Sequence, residues 1–485
     1  MATDNLNSKI VTATKWSTVT VLASKLVMPI SNIILARLLT PDAFGIVATL
    51  TMVISFAELF TDAGFQKYVV QHEFKDDADK FLSINVAFWT NLALSMLFWG
   101  GIALFRDPIS SAVGNPGLGY VIVIACVSIP LQSFSSIQMA IYQRNLDYKT
   151  LFKVRLVGIL IPLVVTVPLA FIFRSFWALV IGTIAKDIVN AIILTLYSEW
   201  KPKLRYSLDK LKEMLSFSIW SMVEAISIWL TGYIDVFIVG SALNSHYLGM
   251  YKASSTTVGQ IIGLITGITT PILFSALSRL QYNEEEFKYL FFKFQKSVGL
   301  LVLPISVGMF CYSDLITKIL LGDQWLETSR FIGLWGLTSG FTVVFSHFSS
   351  EIYRAKGKPK LSVLAQWLHI VVLCPAILIA VKYGYEVLYL TRSIVRLELI
   401  AVNIVIMAVV VKISFKEMFL NVWPSILASI IMAGCAFGLL SLNNTLFYQL
   451  CSIIICAIVY CAVIWLNKDE RMFIRKSLLP KLFHN

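Results

Sequence analysis

Charged residues are scarce in this chain of 485 amino acids, where they make up 14% of the composition against 57% for hydrophobic residues. Soluble domains carry roughly 25% charged residues. The mean hydropathy of +0.77 reflects more apolar surface than one aqueous core can bury, so the composition excludes an ordinary soluble protein. The apolar runs are long and continuous, which indicates membrane-spanning helices and not the short alternating segments of a β-barrel.

Several sequence motifs are also missing. No GxxxxGKS/T motif occurs, which excludes a P-loop ATP site and leaves an ion gradient, the membrane potential or removal of product as the energy source. There is no GxSxG motif and no loop long enough for a polymerase or ligase site, so we predict that the protein is not an enzyme. None of the seven cysteines forms a CxxC pair, and His347 and His369 have no HxxH partner, so we expect no disulfide, metal or cofactor.

Fourteen apolar segments are long enough to cross a bilayer. Their predicted limits are 16–38, 43–63, 82–105, 119–141, 154–173, 176–197, 217–239, 249–275, 293–312, 329–350, 362–381, 386–410, 421–441 and 446–466. The first segment follows a polar stretch and is too long for a signal peptide, so we expect it to remain as an uncleaved helix. Three lysine-rich stretches (207–215, 284–296 and 468–483) have the pattern of amphipathic helices on the inner membrane surface.

The distribution of basic residues supports this count. With the N terminus in the cytoplasm, 29 lysines and arginines fall in inside segments, 7 in outside segments and 4 within spans. This bias obeys the positive-inside rule, and a missed helix would reverse it from that point on. Both termini are therefore predicted to be cytoplasmic.

A weak internal repeat divides the spans into two sets. A shift of 204 residues aligns ILARLLTPDAFGIVA with FIVGSALNSHYLGMYKA and brings Gly45 onto Gly249. A second similarity, IYQRNLDYKTL with IYRAKGKPKL, has an offset of 211 residues. Six spans repeated in the same orientation give a parallel repeat, which predicts a two-lobed transporter with a midplane cavity. The predicted domains are 1–206 (spans 1–6), 207–412 (spans 7–12) and 413–485 (spans 13 and 14 with a basic tail).

The first two spans form a predicted hairpin on the outer face. Arg37 is expected to extend from the end of span 1 towards the interface. Pro41 and Asp42 are expected to form the turn, with Pro41 at or near the first position of span 2. Gly45 is expected to let these two helices pack closely.

This hairpin carries a family resemblance. RLLTPDAFGIVA, followed by AELFTDAGFQKYVVQ, resembles the opening hairpin of the polysaccharide-transport branch of the multidrug/oligosaccharidyl-lipid/polysaccharide exporter superfamily. The later segments YIDVFIVGSALNSHYLGMYKA, LFSALSRLQ and YRAKGKPK are also similar to Wzx-type flippases, which include colanic-acid and teichuronic-acid exporters. The resemblance extends over nearly the whole chain.

The resemblance implies a fold, a location and an activity. The fold is an all-α integral membrane protein with 14 transmembrane helices, arranged as two six-helix lobes in a parallel pseudo-twofold repeat plus two C-terminal helices, as in MATE transporters. The implied activity is to flip undecaprenyl-pyrophosphate-linked oligosaccharide across the bacterial inner membrane by alternating access. The product would serve the synthesis of O-antigen, capsule or exopolysaccharide, with contact to the polymerase machinery as a further expectation.

Basic residues within spans are the predicted substrate-binding groups. Lys25 lies near mid-membrane, where a lipid-facing charge costs roughly 2.5–3.5 kcal/mol. It is expected to meet either the pyrophosphate of the carrier lipid or a carboxylate, Glu58 or Glu224. Arg392 and Arg396 are four residues apart and share one helix face, so they need an anion between them: a phosphate ligand, a lipid headgroup or Glu398. Arg37 completes this predicted set.

Acidic and aromatic residues supply the remaining candidates. For H⁺ or Na⁺ coupling they are two pairs within spans, Glu58 with Asp62 and Glu224 with Asp235. The alternative roles are capping or facing water for Asp62. For the second pair they are hydrogen bonding to sugar and structural pairing with Lys252 or Lys25. Two tryptophans of span 7, Trp220 and Trp229, are candidates for stacking on sugar rings. Lys186 and Asp187 are adjacent and expected to point in different directions, each towards another structural partner.

Two other function classes compete with this prediction. An ion-coupled multidrug or small-molecule antiporter of the same superfamily would need a cavity dominated by acidic groups. A membrane enzyme would need a long outer loop with catalytic arginine and histidine. The sequence favours the flippase because Lys25, Arg392 and Arg396 predict a cationic cavity.

Overall fold

The computed structural model describes residues 2–62, 64–198 and 200–477 of the chain. Within these ranges the side chains of residues 2–11, 13, 14, 18, 22, 62, 216–224, 271, 476 and 477 are not described. All regular secondary structure of the described ranges is helical, which confirms the predicted all-α class. The chain divides into two compact units, Met1–Lys252 and Ala253–Asn485.

The described residues of the first unit form eleven α-helices and the beginning of a twelfth. They are α1 (Ala2–Leu38), α2 (Pro41–Asp62), α3 (Phe65–Gln71), α4 (Asp77–Leu104), α5 (Arg106–Ala112), α6 (Gly119–Ala125), α7 (Ser128–Arg144), α8 (Tyr148–Ile161), α9 (Val167–Phe173), α10 (Trp177–Tyr197), α11 (Leu208–Ala242) and the first turns of α12 (Ser245–Arg279). A π-helical turn, Pro162–Thr166, joins α8 to α9. Pro162 begins this turn, and its missing N–H group makes such a departure from the α-helix favourable.

In the second unit, the described residues form the rest of α12 and nine further α-helices. They are α13 (Glu284–Cys311), α14 (Ser313–Leu320), α15 (Ser329–Thr342), α16 (Ser349–Ala355), α17 (Lys360–Ala380), α18 (Tyr385–Val410), α19 (Phe415–Leu440), α20 (Leu446–Leu466) and α21 (Lys468–Ser477). A π-helical turn, Val343–His347, continues α15. The predicted division at residues 206 and 412 stays a prediction, and the compact units separate after Lys252.

Within the described ranges, fourteen helical spans are long and apolar enough to cross a membrane. This number and the order of the spans confirm the sequence prediction. The second span begins at Pro41, as expected for a proline in the first helical turn. The protein is therefore a multi-pass membrane protein.

Four helices begin earlier than predicted because a capping residue precedes each of them. Asp76, Ser207, Asn283 and Ser414 accept hydrogen bonds from backbone N–H groups three residues later, at 2.7, 3.4, 3.2 and 3.3 Å. Each cap satisfies a free donor at the start of its helix. The stretches 207–215 and 284–296 are helical, as predicted, and they form the first turns of α11 and α13. Their location on the inner membrane surface stays a prediction. In the stretch 468–483, α21 is a separate helix up to Ser477.

Gly45 packs against α12 and not against α1 as the sequence prediction had it. A methyl group built on Gly45 would lie 1.8 Å from the carbonyl oxygen of Ser245. Beside this contact, Ser245 Oγ donates a hydrogen bond to Asp42 at 2.9 Å. The N-terminal ends of α2 and α12, the two helices that the repeat makes equivalent, are thus in direct backbone contact.

Candidate functional site

A cavity of about 680 Å³ in the first unit is lined by residues of α2, α3, α4, α7, α10 and α11. Five of these helices form membrane spans. Its wall carries serine, asparagine and glutamine side chains together with lysines, carboxylates and two aromatic rings. Polar groups are costly within a membrane unless they serve structure or a ligand, so this cavity is the candidate site.

One wall of the cavity is a network of amide and hydroxyl groups. Asn91 of α4 donates to Ser136 Oγ at 2.7 Å and accepts from Ser133 Oγ at 3.0 Å, both on α7. On α10, Asn190 Oδ1 is buried and has no hydrogen-bond partner within the described ranges. The network fixes the Asn91 amide, while Asn190 retains an acceptor that a hydroxyl-bearing ligand could satisfy.

Lys186 and Asp187 form an ion pair at 3.1 Å on this wall. The expectation that the two side chains point in different directions is wrong. The flexible four-carbon side chain of lysine lets its ammonium group reach the neighbouring carboxylate. Gln132 Nε2 also donates to Asp187 at 3.3 Å, and the Asp187 side chain is only 3% exposed.

The opposite wall is aromatic. Trp229 of α11 donates through Nε1 to Ser55 Oγ at 2.9 Å, which holds the indole ring in place. Its ring stacks on Tyr233 with centroids 5.5 Å apart and contacts Phe56 at 4.9 Å. Trp229 and Tyr233 both line the cavity, so the structure puts the predicted aromatic candidate in the site. The side chain of Trp220 lies outside the described residues.

The charges that the described residues bring to the cavity wall balance. Two lysines, Lys67 and Lys186, and two carboxylates, Glu58 and Asp187, are among its described lining residues. Of the predicted ion-coupling residues Glu58 is therefore in the site, while the side chains of Asp62 and Glu224 lie outside the described residues. The predicted cations are elsewhere: Lys25 is half-buried on α1, and Arg37 is exposed in its last turn.

Asp235, the fourth predicted coupling residue, is held by the structure around it. Tyr251 of α12 donates its phenol to Asp235 Oδ2 at 2.6 Å, and the backbone N–H of Val236 donates to Oδ1 at 2.8 Å. Lys252, a predicted partner, lies over the ring of Tyr233 at 5.4 Å. An ion-coupling role for Asp235 stays a prediction.

Arg392 and Arg396 of α18 lie on one helix face, in the second unit. Both guanidinium groups lie over the ring of Trp335 on α15, at 4.8 and 4.3 Å from its centroid. Arg396 also donates to Ser339 Oγ at 2.6 Å. One indole ring therefore orients two cations near the middle of a membrane span through cation–π contacts.

Sequence reasoning missed a second polar pair in this unit. His369 Nδ1 on α17 lies 2.8 Å from Glu398 Oε2 on α18. His369 lies 15 residues before Gly384 and Glu398 lies 14 residues after it, and Gly384 immediately precedes α18 with a φ of 94°. In an antiparallel hairpin that turns at Gly384, residues at nearly equal distances from the turn lie side by side at the same depth in the membrane. The positions of His369 and Glu398 in the sequence could therefore have predicted this contact.

A third cluster lies at the start of α11, outside the membrane spans. Lys210 pairs with Asp79 at 2.7 Å and with Glu213 at 3.0 Å, and Tyr68 donates its phenol to Glu213 at 2.8 Å. The hydrogen bond to Asp79 raises the pKa of Lys210. Hydrogen bonds from Lys210 and Tyr68 lower the pKa of Glu213, and burial raises the pKa of Tyr68.

The chain matches a known protein family. A family profile described as "Polysaccharide biosynthesis protein" matches residues 34–330. The chain belongs to this family. The match contains every described lining residue of the cavity, whereas Lys25, Arg392 and Arg396 fall outside it.

Relatives of this polysaccharide biosynthesis protein have names that refer to transport and surface polysaccharides. The succinoglycan biosynthesis transport protein ExoT of Rhizobium meliloti (strain 1021) is 24% identical over 69% of this chain and 66% of its own length. The lipopolysaccharide biosynthesis protein WzxC of Escherichia coli (strain K12) is 21% identical over 66% of this chain and 65% of its own length. An uncharacterized membrane protein in the cps region of Klebsiella pneumoniae is 23% identical over 77% of this chain and 76% of its own length.

Solved structures establish the fold of this family member. The lipid II flippase MurJ in an inward closed conformation superposes with a TM-score of 0.74 at 16% identity, covering 95% of this chain and 98% of its own. A MATE family transporter of the MOP superfamily, in an inward-facing conformation, superposes with a TM-score of 0.62 at 12% identity, covering 80% and 94%. The predicted fold class is therefore confirmed.

Proposed function

We propose that this protein flips undecaprenyl-pyrophosphate-linked oligosaccharide from the cytoplasmic to the outer leaflet of the bacterial inner membrane by alternating access. The product would feed the synthesis of a surface polysaccharide, with transfer to polymerase machinery as the next step. The observation that carries the proposal is the polar cavity lined by membrane spans of the first unit. The family match and the names of the relatives support it.

The groups on the cavity wall suit a sugar. Hydroxyl groups of a sugar both donate and accept, and the wall offers amides and hydroxyls of both kinds, with the Asn190 oxygen as an available acceptor. The ring faces of Trp229 and Tyr233 suit the C–H face of a pyranose, because aromatic rings combine a large apolar area with fixed geometry. Among the described lining residues, two lysines balance two carboxylates, which supports a sugar-binding cavity over the acidic cavity of a cation antiporter.

The pyrophosphate requires positive charge, and the predicted cations supply it in this proposal. Arg392 and Arg396 are held on Trp335 near mid-membrane, and guanidinium groups bind phosphate oxygens in a bidentate manner. Lys25 and Arg37 complete the set of substrate-binding cations, and together these groups would make the substrate pathway cationic. Sugar recognition and anion recognition are thereby assigned to different side chains.

Energy and orientation belong to the same proposal. Glu58, in the cavity wall, together with Asp62, Glu224 and Asp235 forms the proposed set for coupling to H⁺ or Na⁺. Both termini would face the cytoplasm, as the distribution of 29 inside against 7 outside basic residues supports.

Export in cells that depend on this protein tests the proposal. Lys25→Gln, Arg392→Gln, Arg396→Gln and Trp229→Leu are each expected to lower surface polysaccharide about tenfold or more, and lipid-linked oligosaccharide should accumulate in the inner leaflet. Such a fall corresponds to the loss of about 1.4 kcal/mol of binding. Trp423→Leu is the matched control, because this tryptophan is exposed on α19, and immunoblots must show equal membrane levels. Normal export by all four variants would refute the proposal.

A further inference from the structure

We infer that His369 and Glu398 form a proton-binding site in the second unit, and that an anion bound at Arg392 and Arg396 favours its protonation. The first part concerns a site that stands on geometry alone. The second part deepens the proposed function and rests on it, because the anion would be the pyrophosphate of the carrier lipid.

The pair lies in the middle of the membrane spans. His369 is near the centre of the 21-residue helix α17, and Glu398 is near the centre of the 26-residue helix α18. Their side chains are 5% and 24% exposed, and the contact is 2.8 Å long. A charged group at this depth is costly and is usually paired or functional. Histidine beside a carboxylate is the pair whose protonation changes most readily near neutral pH.

The protonation step is simple to state. With Glu398 ionised, the Nδ1–H group of neutral His369 donates to its carboxylate, and Nε2 is left to accept one further proton. The product is an imidazolium paired with a carboxylate, and no other bond changes. Sodium fits this arrangement less well, because hard cations prefer several oxygen ligands and a ring nitrogen takes up one side of the carboxylate.

The charges around the pair provide the link to an anion. Arg392 and Arg396 lie on the same helix as Glu398 and close enough to His369 to interact with it electrostatically. The packed helix α15 contributes Trp335 and Ser339, which do not titrate in this range, and the turn after it contributes His347. Protonation of His369 therefore places a third positive charge close to these two guanidinium groups, which repel it. An anion on the two guanidinium groups would remove that penalty, and binding of the anion and of the proton would favour each other.

A titration of the full-length protein tests the proton site without any substrate. The histidine ring signals of isotope-labelled protein in lipid nanodiscs would be followed by NMR, with His369→Gln to assign the signal. One histidine signal, which is lost in His369→Gln, should change as the pH is lowered from about 8 to about 5, and the midpoint of this change should shift in Glu398→Gln. The matched control is His347→Gln, since His347 bonds the hydroxyl of Thr270 at 3.1 Å and not a carboxylate. A His369 signal that stays constant over this range, or is unaffected in Glu398→Gln, would overturn the inference.

Binding of undecaprenyl pyrophosphate to the same nanodiscs tests the link. Its affinity for the wild-type protein and His347→Gln should rise as the pH falls, by up to about tenfold per pH unit for one linked proton. In His369→Gln the affinity should lose this pH dependence. Equal pH dependence in wild type and His369→Gln, or none in wild type, would overturn the link. If the probe does not bind at any pH while His369 titrates, the proton site stands, and the link fails together with the pyrophosphate recognition of the proposed function.

Discussion

Gly45 and Gly249 meet at a crossing of α2 and α12 that is reciprocal. A methyl group on Gly45 would lie 1.8 Å from the carbonyl oxygen of Ser245, and one on Gly249 would lie 1.8 Å from the carbonyl oxygen of Pro41. Ser245 precedes Gly249 by four residues, as Pro41 precedes Gly45. The repeat offset of 204 residues thus relates both halves of the contact, as expected for a local twofold axis between the two helix ends.

Alanine at either glycine should separate these helix ends. Gly45→Ala and Gly249→Ala are each expected to lower the free energy of unfolding by about 1–3 kcal/mol, because a backbone carbonyl cannot move aside as a flexible side chain can. The double variant should cost less than the sum, since one separation relieves both clashes. Thermal unfolding in detergent, followed by tryptophan fluorescence, measures the effect.

Gly438→Ala is the control for this experiment. Gly438 lies in α19, and a methyl group there meets no atom within 4 Å, so alanine should be neutral or stabilise the helix slightly. Unfolding temperatures for Gly45→Ala and Gly249→Ala that match this control would contradict the crossing.

Stability should depend on pH through Lys210. Because the pKa of Lys210 is raised in the folded protein, Lys210 contributes its full stabilisation of the fold below its ordinary pKa of 10.5. This stabilisation is lost at higher pH. Because the pKa of Glu213 is lowered in the folded protein, Glu213 contributes its full stabilisation of the fold above its ordinary pKa of 4.5. This stabilisation is lost as the pH falls through the lower pKa of the folded state. Lys210→Met should therefore cost about 1 kcal/mol near pH 7, a small figure because Glu213 is partly exposed.

Unfolding temperatures at several pH values measure this difference. The difference in unfolding temperature between wild type and Lys210→Met should shrink below about pH 4, because the Glu213 carboxylate becomes protonated. Lys212→Met controls for the loss of a lysine on the same helix, because Lys212 is exposed. A gap that stays constant from acid to neutral pH would argue that Lys210 acts through packing alone.

Local sequence patterns were sufficient for the spans, and insufficient for the cavity. Length and hydropathy define each span within its own residues, which is why fourteen spans and the start of α2 at Pro41 were predictable. The amide network joins Asn91 to residues more than forty positions later. Uncharged polar residues within an apolar run do not indicate which distant residues they contact. The flexible side chain of Lys186 turns towards Asp187 beside it. The prediction that adjacent residues point in different directions did not allow for this flexibility.

Trp335 should matter for the anion site of the proposed function. Its ring supports both Arg392 and Arg396, and such contacts contribute about 0.5–2 kcal/mol each. Trp335→Leu is expected to weaken binding of undecaprenyl pyrophosphate about tenfold or more, whereas Trp335→Phe keeps a ring face and should retain most of the affinity. Binding in nanodiscs measures both, and equal affinities for the leucine and phenylalanine variants would contradict a role for the ring.

The ion pair of Lys296 and Glu470 should anchor α21 to α13. Its length is 2.7 Å, and the side chain of Glu470 is only 1% exposed. Lys296→Met removes the cation but leaves the carboxylate buried, which typically costs 3–5 kcal/mol, whereas replacing both partners by apolar residues is often nearly neutral.

A double-mutant cycle with limited proteolysis separates these effects. Lys296→Met should release α21 and expose the C-terminal segment to protease, and Lys296→Met with Glu470→Met should restore protection. The ring of Phe473, 5.1 Å from Lys296 Nζ, remains in both variants and so contributes equally to each. If the double variant is cleaved as fast as Lys296→Met, the cost comes from lost packing around lysine and not from an unpaired carboxylate.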